Sequence, residues 1–136
     1  ILIALWCAVA MSLPGSAGAC KRLNLFLRWM VRPGDGLDLG WFHPVRPAQL
    51  VMPLDTHVAR ISRYLGLSAR RTPDWRMARE ITDALRRFDP VDPVRYDFAL
   101  SRLGILDACP RKRDAHKCRA CSLVTVCTLG RSSRAA

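Results

Sequence analysis

Four cysteines crowd the stretch CPRKRDAHKCRACSLVTVC, residues 109–127, in the pattern C-x8-C-x2-C-x5-C. Cys109, Cys118, Cys121 and Cys127 are close enough in sequence to close around one centre. Thiolates are the ligands that zinc and iron–sulfur clusters take. Structural zinc sites usually pair two C-x2-C knuckles, and only one is present here. Disulfides are the third possibility, although four cysteines gathered at a basic tail suit a ligand set better than a framework. Spacing alone leaves iron–sulfur, zinc, and disulfides or free thiols open, in that order. Cys7 and Cys20 lie far away and read as ordinary apolar residues.

Positive charge surrounds these ligands. Arg111, Lys112, Arg113, Lys117 and Arg119 fall between the first three cysteines. The chain of 136 residues carries 22 basic and 11 acidic side chains, a net charge of +11, and nineteen of the basic residues are Arg. Residues 1–20 hold no charge, 21–63 hold +4, 64–108 hold +1 and 109–136 hold +6. Two basic blocks thus flank a nearly neutral middle, the footprint of a surface that binds a polyanion. Arg suits phosphate because its planar fork binds bidentately.

The elements that must position these groups read as helices. In CKRLNLFLRWMVR, Leu23, Phe26, Leu27, Met30 and Val31 recur at helical spacing, and RPGDG ends the run. Residues 33–50 are too rich in Pro and Gly for regular structure. PLDTHVARISRYLGL presents Leu54, Val58, Ile61 and Leu65 on one face, with Gly66 as C-cap. In RTPDWRMAREITDALRRF, Thr72 is the expected N-cap, Pro73 the first helical residue, and Trp75, Ala78, Ile81, Leu85 and Phe88 the buried stripe. Asp92 and Pro93 start a last helix. No alternating strand pattern appears, so the fold class is all-α. The expected organisation is a helical domain over 1–108, a cysteine loop over 109–127 and an unstructured tail over 128–136.

The opening run ILIALWCAVAM is apolar but too short to span a bilayer, and no basic stretch precedes it. It reads as a buried helix of a domain whose beginning is missing. No membrane association is expected.

A resemblance joins these pieces. The cysteine set resembles the C-x6-C-x2-C-x5-C terminus of the endonuclease III and adenine-mismatch glycosylase group, which holds a 4Fe-4S cluster. PLDTHVAR, residues 53–60, is similar to the V-D-T-H-I/V-x-R segment of helix-hairpin-helix DNA glycosylases. LPGSAGACK, residues 13–21, looks like their hairpin L-P-G-V/I-G-x-K with two residues inserted. ACKRLNLFLRWMVR, PLDTHVARI and YDFALSRLGI look closest to an uncharacterised bacterial family related to endonuclease III and archaeal 8-oxoguanine glycosylases.

The resemblance implies the C-terminal part of a helix-hairpin-helix glycosylase domain ending in an iron–sulfur loop. It implies Asp55 as catalytic carboxylate and Lys21 as nucleophile. It implies Cys109, Cys118, Cys121 and Cys127 as ligands of a 4Fe-4S cluster, with zinc as the alternative. Arg22, Arg111, Lys112, Arg113, Lys117 and Arg119 would contact DNA. The partner would be damaged double-stranded DNA, bound by a cytoplasmic, nucleoid-associated monomer. By itself an Asp opening a helix reads as an N-cap, and Lys21 reads equally as a phosphate contact. His57, Trp29, Trp41 and Trp75 read as packing residues, with Trp41 and Phe42 the best candidates for stacking on bases. A non-catalytic iron–sulfur DNA-binding module and a secreted or lipid-anchored basic protein, anchored through Cys20, are the alternative functions.

Overall fold

The computed structural model describes residues 18–34 and 36–131. These form α1 (Lys21–Val31), α2 (Thr56–Tyr64), α3 (Trp75–Arg86), α4 (Asp97–Ile105), α5 (Ala115–Ala120) and α6 (Thr128–Arg131), with 3-10 turns at Pro47–Gln49 and Pro93–Tyr96. There is no strand among the described residues, so the all-α expectation holds.

Helices α2 and α4 pack most extensively on each other. The main core gathers Met52 and Leu54 from the extended lead-in, Val58 and Ile61 from α2, Met77, Ile81 and Leu85 from α3, and Leu100 from α4. Full burial of each such side chain contributes about 1.5–3 kcal/mol. A smaller cluster of Val31, Leu50 and Val94 joins α1 to the two 3-10 turns. The backbone N–H of Met52 donates to Thr82 Oγ1 at 2.9 Å, and that hydroxyl donates to Ala78 O at 2.7 Å. A polar residue inside the core is thereby satisfied on both sides.

The starts of α2 and α3 are carboxylate caps. Asp55 accepts from Val58 N and Asp74 accepts from Met77 N, each at 2.8 Å. The cap of α3 is therefore Asp74 rather than Thr72, because Asp74 presents its carboxylate to the first free N–H groups. Phe88, expected in the stripe of α3, is 68% exposed. It lies beyond the helix, past the C-cap Arg87, and Met77 takes the inner place instead. The tail also differs from expectation: Thr128–Arg131 is helical, and Gly130 is buried.

The largest departure is α1. Its apolar stripe is only half-buried at Leu23, Phe26, Leu27 and Met30, and the deepest side chains are Asn24, Arg28 and Val31. Arg28 is 4% exposed. It can be buried because acidic partners wait for it (described below), which the helical period alone does not announce.

Gly104 lets α2 and α4 approach. A Cβ there would lie 2.4 Å from His57 Nδ1 and 2.5 Å from His57 Cβ. Gly104→Ala should lower stability by about 1–3 kcal/mol through overpacking, although alanine is intrinsically the better helix former by about 1 kcal/mol. Urea denaturation should show coupling with His57→Gly, which removes both the ring and the Cβ: the double variant is more stable than the summed single losses predict.

Candidate active site and cysteine module

Lys21 opens α1 and Asp55 precedes α2, and the fold brings them together across 34 residues. Cys20, buried and left-handed at φ 51°, turns the chain into α1 and points Lys21 toward the head of α2. Lys21 Nζ donates to Asp55 Oδ2 at 3.3 Å, while Asp55 Oδ1 is held by the Val58 N–H. One carboxylate oxygen thus fixes the helix and the other faces an amine. The Lys21 side chain is about half exposed, whereas Asp55 is 17% exposed.

The pair stands on a cavity of about 280 Å³. Trp29 and Phe98 contribute apolar walls, and Arg28 and Asp97 contribute charge. Asp97 is 4% exposed, and its Oδ2 accepts from Arg28 Nη1 at 2.6 Å. Burial raises its carboxyl to about 6 against the opposing pull of Arg28. Behind this pair the charges continue. Arg28 Nη2 reaches Asp38 Oδ2 at 3.4 Å, Arg32 also pairs with Asp38, and Arg32 Nε donates to Asp92 Oδ2 at 2.9 Å. Removing one member of such a network strands a buried charge. The network therefore ties α1, the 33–50 loop and the head of α4 into a fixed base for the cavity.

The four C-terminal cysteines also meet. Cys109, Cys118, Cys121 and Cys127 line one small apolar cavity, and all four are free thiols. Burial pushes the Cys109 thiol up; Arg60 pulls it down, and the other three cysteines act on it electrostatically. No three His, Cys, Asp or Glu side chains among the described residues converge as a single-ion site.

This module has almost no core of its own. From residue 110 to 131 only Cys127 and Gly130 are buried, and α5 buries nothing. Helices of six and four residues are too short to hold themselves together. Hydrogen bonds to α2 supply three ties: Arg60 Nη2 donates to Cys109 O at 2.7 Å, Tyr64 Oη to Arg111 O at 3.1 Å, and Thr128 Oγ1 to Tyr64 O at 3.1 Å. Gly130 accommodates Val124, whose Cγ2 would be 3.0 Å from an added Cβ. A segment so poor in apolar burial is the kind that a metal centre staples, and four free thiols around one apolar space fit such a centre.

The basic residues divide. Arg22, Arg111, Lys112, Arg113 and Arg119 are exposed. Lys117 is engaged: its Nζ donates to Asp107 Oδ2 at 2.5 Å and to Asp107 O at 2.8 Å, so it braces the loop. Of the aromatic residues assigned to packing, Trp41 is 69% and Trp29 44% exposed, and Trp29 is a cavity wall. The hairpin read over residues 13–21 lies in part outside the described residues, as do Cys7 and the apolar opening run. Among the described residues no helix is long and apolar enough to cross a membrane.

An all-helical domain with a lysine–carboxylate cavity and a four-cysteine module is the frame for comparison with known proteins. Residues 7–106 match the family described as Protein of unknown function (DUF2400), and the chain belongs to that family. No helix-hairpin-helix or glycosylase family matches, which corrects the assignment to that superfamily. The motifs behind it are short, and part of their signal is ordinary helix-start chemistry: Asp55 caps α2 as Asp74 caps α3. The cysteine spacing is also two residues longer than the pattern it resembles. No curated protein and no solved structure matches the chain significantly.

Proposed function

We propose that this protein is a base-excision enzyme acting on damaged double-stranded DNA, a DNA N-glycosylase with an AP-lyase step carried by Lys21 and Asp55. The observation that carries the reading is the amine–carboxylate contact of 3.3 Å on a cavity walled by Trp29 and Phe98. An enzyme that works on a base in duplex DNA must take it out of the stack and hold it between flat apolar faces. The amine of Lys21 attacks C1′ of the sugar, and the resulting Schiff base permits β-elimination. Asp55, anchored by the Val58 N–H, accepts the amine's proton and faces the positive charge that develops on the sugar.

Cys109, Cys118, Cys121 and Cys127 would hold a 4Fe-4S cluster. Four free thiols lining one small cavity are the ligand type and number that such a cluster takes. Such a centre, when bound, supplies a rigid clip for the loop that displays Arg111, Lys112, Arg113 and Arg119. Together with Arg22 these side chains supply phosphate contacts, which position a duplex without reading its sequence.

Borohydride trapping tests the reading. The protein is mixed with duplexes carrying an abasic site, 8-oxoguanine or an oxidised pyrimidine, with Lys21→Ala alongside. The expected result is a covalent adduct on the abasic duplex that Lys21→Ala does not form. Absence of any adduct, from protein that binds the same duplex, would remove the lyase step.

A further inference from the structure

The cavity holds two carboxyl groups in unlike surroundings. Asp55 sits at its mouth, beside an amine and partly in solvent. Asp97 sits on its floor at the start of α4, almost wholly buried, against Arg28. Two acids placed so differently, one beside an amine at the mouth and one buried on the floor, can divide acid and base roles. Asp55 is committed to Lys21 and to the cap of α2. Asp97 has no part in the lysine chemistry, yet it lines the same space.

We propose that Asp97 is the proton donor of this pocket, the acid that protonates the departing base. The inference rests on the glycosylase reading above. Lys21 Nζ, as a neutral amine, gives its lone pair to C1′. The pair of the C1′–N bond leaves with the base. The proton of Asp97 passes to the base, and the proton released by the amine passes to Asp55. Asp97 is left as a carboxylate opposite the Arg28 guanidinium, which stabilises the charge it has just acquired.

The groups around Asp97 fit that role. Lys21 and Arg28 face it from α1, and Asp55 faces it from the head of α2. Asp38 shares Arg28 from the loop, with Arg32 and Asp92 behind. His57 of α2 lies against Gly104 further along α4. Burial, which raises the carboxyl to about 6, keeps part of the population protonated near neutrality, where an acid catalyst is most effective.

The test separates base release from strand chemistry. Single-turnover release of base from duplexes carrying 8-oxoguanine or an oxidised pyrimidine is measured across pH 5–9 for the wild type and Asp97→Asn, beside borohydride trapping on a preformed abasic site. On an abasic site the group expelled is water, so trapping does not need the acid that protonates a departing base. Asp97→Asn is expected to slow base release by about a hundredfold or more and to abolish its decline above about pH 6, the value to which burial raises the carboxyl. Its trapping should stay within a few fold of wild type. Equal loss of both activities would make Asp97 a structural support of Arg28 and overturn the proposal, as would unchanged base release. If the variant does not fold, the wild-type profiles decide: base release that follows the pH dependence of trapping overturns it. A wild type that traps abasic DNA but releases no base from any of these duplexes leaves the lyase and removes the Asp97 acid. A wild type with neither activity removes the glycosylase reading itself.

Discussion

Asp55→Asn should reduce Schiff-base formation by about 10²–10⁴-fold, the range of a lost positioned acid–base group, while leaving the fold intact. Asparagine caps helices as well as aspartate does, so the Val58 N–H keeps its acceptor and α2 keeps its start. Thermal denaturation should place the variant close to wild type. What disappears is the negative charge 3.3 Å from Lys21 Nζ. The amine loses its proton acceptor and the sugar cation loses its counter-charge. Binding to an abasic duplex should persist, since the exposed arginines are untouched. Asp55→Ala separates the two roles: it should lose activity and in addition about 1 kcal/mol of stability, the usual cost of removing a cap. If Asp55→Asn reacts at the wild-type rate, Asp55 is a cap alone and another group takes the proton of Lys21.

That comparison also shows where sequence reading reaches its limit. The helices around 21–31, 56–64 and 75–86 are legible because apolar residues repeat at helical spacing and turn residues end each run. Asp55 and the four cysteines are legible because their chemistry is local: a cap acts within three residues, and C-x2-C brings two thiols together along the chain. The floor of the cavity is different. Arg28 looks like a solvated residue on a basic helix, and Asp97 looks like an acid that favours a helix start. They are partners across 69 residues. Burying either alone would be costly, and burying both becomes tolerable only once the fold has paired them. No periodicity records that condition. Trp29 is a similar case: it sits on a helix with an apolar face, so it reads as core, although the deep positions went to Asn24 and Arg28. Phe88 fails for the opposite reason, because its stripe runs past the point where α3 ends.

Cys118→Ser should remove the proposed metal centre and, with it, the order of the basic loop, while sparing the helical core. The core cluster draws its buried side chains from residues 52–100, and of the four cysteines only Cys109 packs against it, half-buried. Far-UV circular dichroism should therefore change little. The loop has no comparable reserve. With α5 burying nothing, and hydrogen bonds to α2 and the Lys117–Asp107 contact as ties, it would depend on the proposed centre among its thiols. Anaerobically purified wild type should carry about four irons and four sulfides per chain, as a 4Fe-4S centre requires, and the variant should carry far fewer. Its affinity for duplex DNA should fall about tenfold or more near physiological salt. The dependence of affinity on salt should flatten, because each lost phosphate contact removes about one released counterion. Lys21 meets the head of α2, whereas the loop is tied to Arg60 and Tyr64 further along it, and Arg22 is exposed, so residual binding should survive. One zinc per chain in the wild type, without iron, would replace the cluster with a single-ion site while keeping the loop argument. Unchanged DNA affinity after loss of the metal would show that Arg111, Lys112, Arg113 and Arg119 do not form the binding surface, and would shift that role to Lys21 and Arg22 at the start of α1.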